Sequence, residues 1–119
     1  MANKIKLIAL DLDATLLDSQ KKISPRNLEV LERARNMGIL MVPVTGRPAQ
    51  GLPQAVLDLP GLRYAVTSNG ATIRDWVADR FLLEKHLTPE KSLEVLDACR
   101  DFAMIREVFR EGVGYLTQA

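Results

Sequence analysis

Two short apolar runs, Ile5 to Leu12 and Ile39 to Val44, flank one amphipathic segment, and this arrangement restricts the fold more than any other feature of the chain. Each run is bounded by turn chemistry and fits a strand covered on both faces, as in a parallel sheet. Between them Ser24-Pro25 supplies an N-cap hydroxyl and a first-turn proline. Leu28, Leu31, Ala34 and Met37 then recur near helical spacing until Gly38. Strand, helix and strand joined by short connections make a βαβ unit, whose crossover is almost always right-handed. The chain therefore opens an α/β sheet. Pro43 has no N–H for a ladder, so the second strand is expected to be irregular there.

Residues 48–59 predict a second helix through Leu52, Ala55, Val56 and Leu59, interrupted or delayed by Pro53. Arg63 to Ser68 predicts a third strand ending at the turn dipeptide Asn69-Gly70. Beyond Gly70 the pattern changes. Ala71 to Arg74 and Arg80 to Leu83 alternate around Asp75 to Asp79 and predict a hairpin, in which Trp76 is expected to be packing. Thr88-Pro89 starts a helix whose Leu93, Leu96, Cys99 and Phe102 read as its core stripe, Cys99 being a small core side chain. Ile105 to Arg110 and Gly114 to Thr117 predict a last hairpin around Gly112. The organisation is thus an α/β part over 1–83 and an α+β part over 84–119.

Composition narrows the function classes. The 119 residues, 47% apolar and 26% charged, suit one modest core. The 16 basic and 15 acidic residues are interspersed and leave a charge of +1, so neither nucleic acid nor an anionic membrane is an expected partner. Cys99 stands alone and His86 is the single histidine, expected at the surface, which removes an intrachain disulfide and a Cys/His zinc cluster. A reducing cytoplasm is the simplest setting. The apolar run near the start stops at Asp11, too early for a signal sequence or a membrane span.

Ligands of open α/β sheets bind outside the carboxyl ends of the strands. Those ends are Asp11-Leu12-Asp13-Ala14-Thr15, Thr45-Gly46-Arg47 and Ser68-Asn69-Gly70. Two carboxylates one residue apart on a chain leaving a buried strand need cationic or protic compensation. A hard cation such as magnesium accepts carboxylate and carbonyl oxygen, and Asp11 and Asp13 suit that task.

At these positions the sequence resembles a family. Asp-Leu-Asp-Ala-Thr-Leu-Leu-Asp at 11–18 is similar to the first motif of the haloacid-dehalogenase-like (HAD) superfamily. Val44-Thr45-Gly46-Arg47-Pro48 resembles its second motif in the form of the Cof-like branch, and Ser68-Asn69-Gly70-Ala71 that branch's Asn-Gly-Ala turn. The resemblance runs from Lys4 onward and implies a Rossmann-like parallel sheet, present in part, followed by the start of an α/β cap. It also implies a magnesium-dependent phosphatase of a small phosphomonoester, with a sugar phosphate as one example. Asp11 is then the nucleophile and forms a phosphoaspartate. Asp13 is the acid that protonates the leaving oxygen and afterwards activates water. Thr45, Gly46, Arg47, Asn69 and Gly70 bind substrate, and Mg2+ lies on the Asp11 carboxylate and the Asp13 carbonyl.

Two departures bear on this expectation. Ala14 stands at the family's usual glycine, so a positive φ there meets a Cβ. The third-motif lysine and the fourth motif, Gly-Asp-x-x-Asn-Asp, do not occur in these 119 residues. An alternative reading is therefore a catalytically weak or inactive fragment acting through self-association, expected as a homodimer, or through a partner chain. A receiver-type α/β domain is a more distant rival, since such a chain returns to the sheet where this one turns to hairpins.

Overall fold

The structure, a computed structural model, describes residues 5–117. The first four residues, part of the start read as lacking a signal sequence, and the chain's end at Ala119 lie outside the described residues. In order, the elements are β1 (Leu7–Leu10), α1 (Pro25–Asn36), β2 (Leu40–Pro43), α2 (Gln54–Leu57), β3 (Tyr64–Thr67), β4 (Thr72–Asp75), β5 (Arg80–Glu84), α3 (Pro89–Ala98), β6 (Glu107–Arg110) and β7 (Val113–Leu116). The chain divides into two compact units between Glu84 and Lys85.

In the first unit β1 and β2 pair in parallel, Leu7 opposite Leu40 through Leu10 opposite Pro43, with α1 as the crossover. The Ser24 side chain caps α1 by accepting the Asn27 N–H at 3.2 Å, and Pro25 occupies the first turn where its missing N–H costs nothing. Gly38 ends the segment at φ +77°, a left-handed conformation that glycine adopts without strain. Burial on α1 is narrower than its apolar stripe. Leu31 and Ala34 are buried, while Leu28 lines an open groove with Ile23, Met41 and Leu59, and Met37 faces solvent.

Two expectations are corrected here. First, β1 is not covered on both faces: its residues alternate between exposed and half-buried, with Leu7 50% exposed. The alternation puts Leu7 and Ala9 on one face and Ile8 and Leu10 on the other, so one face of the strand lacks a covering layer, and β1 pairs with β2 alone among the described strands. Second, β2 keeps its register with β1 through Pro43, and the irregularity falls on the other side. Leu40 and Val44 donate to the Lys6 and Leu10 carbonyls of the β1 side at 2.9 and 2.8 Å, so the odd positions turn toward β3. There Thr45 donates to Val66 at 3.0 Å, but Pro43 has no N–H to offer. Consequently β3 joins β2 through one parallel bridge, Val44 to Val66, and not through a ladder. On its other edge β3 forms an antiparallel ladder with β4, which pairs in turn with β5 as the predicted hairpin.

The predicted second helix is split as Pro53 demands. A 3-10 turn at Ala49–Gly51 ends at Leu52, and Pro53, in extended conformation, precedes the single turn of α2. Leu12, Leu17, Leu31, Met41, Leu52, Val56 and Ala65 belong to one core, with Trp76 packed against it.

In the second unit the Thr88 side chain caps α3 from the Lys91 N–H at 3.2 Å. Glu111 and Gly112 both have positive φ, the turn that matches the twist of β6 and β7. Arg106 ties hairpin to helix through the Leu96 carbonyl at 3.3 Å. The expected core stripe is not a core. Leu93 is 66% and Phe102 59% exposed, Cys99 is half-buried, and α3 buries no residue. One short helix and a two-stranded hairpin do not supply the second layer that would cover that face. No helix among the described residues is long and apolar enough to cross a membrane.

Candidate active site

The chain leaving β1 is anchored by Leu12, which is fully buried. Its carbonyl accepts the N–H groups of Thr15 and Leu17 at 3.2 and 2.8 Å, and the Asp11 carbonyl accepts that of Leu16 at 3.3 Å. The main chain thereby folds back on itself, with Asp11 and Asp13 exposed on either side of the buried leucine. This tight return forces Ala14 to φ +59°, the strain that its Cβ was expected to meet. The Thr15 hydroxyl donates to Asp11 Oδ2 at 2.6 Å and orients the carboxylate.

Leu17 then bridges to both Asp13 and Ile23, which starts a small hairpin. Its tip is held by Asp18, whose Oδ1 accepts the N–H groups of Gln20 and Lys22 at 2.8 and 2.9 Å. Lys21 sits in this turn at φ +60°, and its Nζ reaches Asp13 Oδ1 at 2.7 Å.

At the end of β2, Thr45 is buried and its hydroxyl accepts the Arg47 N–H at 3.2 Å. The Arg47 side chain turns to the first loop and grips Asp13 with two bonds, Nε to Oδ2 at 2.7 Å and Nη2 to Oδ1 at 2.8 Å. Nη1 donates to the Gly51 carbonyl at 3.2 Å. The turn after β3 is stitched to the same place: Ser68 N–H donates to the Arg47 carbonyl at 2.8 Å and Asn69 N–H to the Thr45 carbonyl at 3.2 Å. Asn69 is left-handed (φ 54°, ψ 33°), as the turn dipeptide predicts, and Gly70 follows at φ +92°. Gly46 leaves room for the Asn69 side chain: a Cβ there would lie 2.8 Å from Asn69 Oδ1 and would push that side chain aside.

The structure thus joins Asp13, Thr45, Gly46, Arg47 and Asn69 into one cluster at the strand ends. Asp11 is held within its own loop, and Gly70 shapes the third turn. Arg47 and then Lys21, by hydrogen bonding and charge, hold the Asp13 carboxyl well below the usual carboxylate range, and the same pairing raises Arg47. Asp13 is therefore an ionised acceptor in this arrangement. Sequence reasoning missed Lys21 and Thr15. The available signal was Asp18 at the head of a polar turn, since an aspartate that caps the N–H groups ahead of it fixes where the following side chains point.

No group of three His, Cys, Asp or Glu side chains is placed to hold a metal ion among the described residues. The Asp13 carboxylate is already committed to two cations. The Asp11 carboxylate and the Asp13 carbonyl nevertheless form an all-oxygen donor set, which fits a hard divalent cation as part of its shell.

A model of haloacid dehalogenase-like hydrolases matches residues 8–119. The pyridoxal phosphate phosphatase YbhA of Escherichia coli (strain K12) is 33% identical over 118 residues, which span 96% of this chain and 40% of that protein. The 5-amino-6-(5-phospho-D-ribitylamino)uracil phosphatase YcsE of Bacillus subtilis (strain 168) is 30% identical over 92 residues, 77% of this chain and 36% of that one. A solved haloacid dehalogenase-like hydrolase from B. subtilis superimposes with a TM-score of 0.81 at 30% identity, over 97% of this chain and 40% of that chain. The chain therefore spans about two fifths of the length of these relatives. The likeness establishes its architecture as part of an α/β fold of their kind.

Proposed function

The chain belongs to the haloacid dehalogenase-like hydrolases, and from that premise we propose that its strand ends carry the phosphoryl-transfer half of a phosphatase for a small phosphomonoester. The observation that carries this reading is the hydrogen-bonded union of three strand ends around Asp13 and Arg47. The two named relatives are phosphatases of small phosphorylated metabolites, which supports that substrate class.

Asp11, oriented by Thr15, attacks phosphorus through a carboxylate oxygen and forms a phosphoaspartate. The ester oxygen leaves with a proton from Asp13. Water then attacks the same phosphorus, Asp13 takes its proton, and inorganic phosphate departs with Asp11 restored. The Arg47 and Lys21 pairs keep Asp13 in the form that accepts the proton from water, so donation to the leaving group requires those pairs to open and Asp13 first to take up a proton from solvent, which it releases again when the pairs re-form. Thr45 and Arg47 bind phosphoryl oxygens, and Gly46, Asn69 and Gly70 shape the rim on which the substrate rests. Magnesium, when bound by the Asp11 carboxylate and the Asp13 carbonyl, supplies positive charge between nucleophile and phosphate. We assign 1–83 to part of the family's sheet domain and 84–119 to the opening of its cap, in a cytoplasmic protein.

The test is hydrolysis of an aryl phosphate with magnesium present. Asp11→Asn is expected to lose at least about a thousandfold in turnover. Full turnover in that variant would reject the assignment.

A second reading, action through self-association, is favoured by the free edge of β1 and by exposed Leu7, Leu40 and Leu93. It expects a twofold homodimer. Light scattering that gives a 13.3 kDa monomer at micromolar concentration would exclude it.

A further inference from the structure

Lys21 and Arg47 come from loops 8 and 34 residues away from Asp13, yet both converge on its carboxylate. Asp13 Oδ1 accepts Lys21 Nζ at 2.7 Å and Arg47 Nη2 at 2.8 Å, and Oδ2 accepts Arg47 Nε at 2.7 Å. Three donors from two cations thus hold two oxygens of one anion. A guanidinium fork of this geometry takes a phosphate edge as readily as a carboxylate.

Neither cation owes its place to Asp13 alone. Arg47 is braced by the Gly51 carbonyl through Nη1, by Thr45 through its main-chain N–H and by Ser68 through its carbonyl. Lys21 is braced by a turn closed in both directions, its N–H on the Asp18 carbonyl at 3.0 Å and the Asp18 N–H on the Lys22 carbonyl at 2.9 Å. Removing the carboxylate would therefore leave two positioned cations without their anion. The assembly is also open to solvent, with the Lys21, Asp13 and Arg47 side chains 51%, 42% and 31% exposed. Ion pairs this exposed are weak enough to exchange. A phosphate dianion brings more charge and more acceptor oxygens to the same donors than a carboxylate does.

We propose that Lys21 and Arg47 are the cationic seat of the substrate's phosphoryl group, and that the Asp13 carboxylate occupies this seat until phosphate displaces it. The proposal rests on the phosphoryl-transfer reading and adds to it a positioning residue, Lys21, and an order of events. Phosphate entry detaches Asp13 from its cations, and only then can Asp13 take up a proton from solvent and give it to the leaving group.

The experiment is calorimetric titration of the full chain with inorganic phosphate at constant ionic strength. Asp13→Asn is expected to tighten phosphate binding roughly tenfold, because the competing anion is gone. A merely structural role for the two pairs predicts the opposite sign. Adding Lys21→Met to Asp13→Asn should weaken binding by about threefold to tenfold, and Lys21→Arg should restore it. Both side chains are exposed, so folding is not at risk, and an amide proton spectrum of each variant verifies it. Thr45→Val separates the two claims. If Thr45→Val weakens phosphate but Asp13→Asn does not tighten it, the seat is wrong and the strand-end reading stands. If Thr45→Val, Lys21→Met and the parent bind alike, or no form binds phosphate at millimolar concentration, both are overturned.

Discussion

Helices α1 and α3 begin in the same way, with a hydroxyl cap followed by proline, Ser24-Pro25 and Thr88-Pro89, and each cap accepts a main-chain N–H at 3.2 Å. Both carry apolar residues at helical spacing, yet α1 buries Leu31 and Ala34 whereas α3 buries nothing. The difference is what lies opposite. In the first unit Met41 of β2 and the segment from Leu52 to Leu59 close over α1, and every buried hydrophobic side chain among the described residues falls between Leu12 and Ala65. In the second unit α3 has only a two-stranded hairpin tied to it through Arg106. Caps and turns therefore form elements locally, but burial needs a second layer. The strand-end cluster stands on the unit that has one.

The comparison can be broken most directly in the core. Leu17, 2% exposed, and Leu93, 66% exposed, are the same residue in the two settings. Leu17→Ala is expected to cost about 3 kcal/mol through lost burial and an unfilled cavity. Leu93→Ala should stay within about 0.5 kcal/mol. Urea unfolding followed by circular dichroism checks both, and a loss above about 2 kcal/mol for Leu93→Ala would show that the second unit has a covered face after all.

Acid sharpens the same contrast. Asp75, at the end of β4, is buried, and its carboxylate accepts the Ala78 and Val77 N–H groups at 3.1 and 3.0 Å and pairs with Arg63. The Ala78 bond chiefly, with those from Val77 and Arg63, lowers its pKa. A carboxyl depressed in the folded state contributes stability above its unfolded pKa, about 3.9, and loses that contribution as pH falls toward the folded value. The first unit is thus expected to hold its stability from neutrality to about pH 4 and to lose it below, and Asp75→Asn should flatten this acid limb. Thermal melts between neutral pH and strong acid measure the slope. An unchanged acid limb in Asp75→Asn would remove Asp75 as its source.

What the sequence revealed follows the same division between local and non-local causes. Ser24, Pro25, Gly38, Pro53, Asn69 and Gly70 act on their own neighbourhoods, so helix starts, the split second helix and the left-handed turn were legible in advance. The strand-end motifs were legible as well, because each lies where a buried strand stops. The single bridge between β2 and β3 was not, since it depends on Pro43 withholding a donor from a strand some twenty residues away in sequence. Nor was Lys21, which reaches Asp13 only once Asp18 has closed its turn. The α3 stripe misled for the opposite reason. Its periodicity is real, and what covers such a stripe is not written in the helix itself.

The smallest expected effect concerns the turn that presents the two aspartates. Ala14 lies at φ +59° between the buried Leu12 and the bridge at Leu17, both of which fix the path of the chain. An L residue there crowds its Cβ against the following carbonyl, a strain that glycine lacks, whereas glycine loses more backbone entropy on folding. The first effect is the larger at a left-handed position, by about 0.5–1 kcal/mol. Ala14→Gly should therefore raise stability by that amount in urea, although the same exchange inside α1, Ala34→Gly, should lower it by about 1 kcal/mol. The two variants together test whether the loop is held by its neighbours. If Ala14→Gly destabilises the chain as Ala34→Gly does, the loop owes its conformation to Ala14 itself, and the tight return that sets Asp11 and Asp13 on opposite sides of Leu12 is not imposed by the core beneath it.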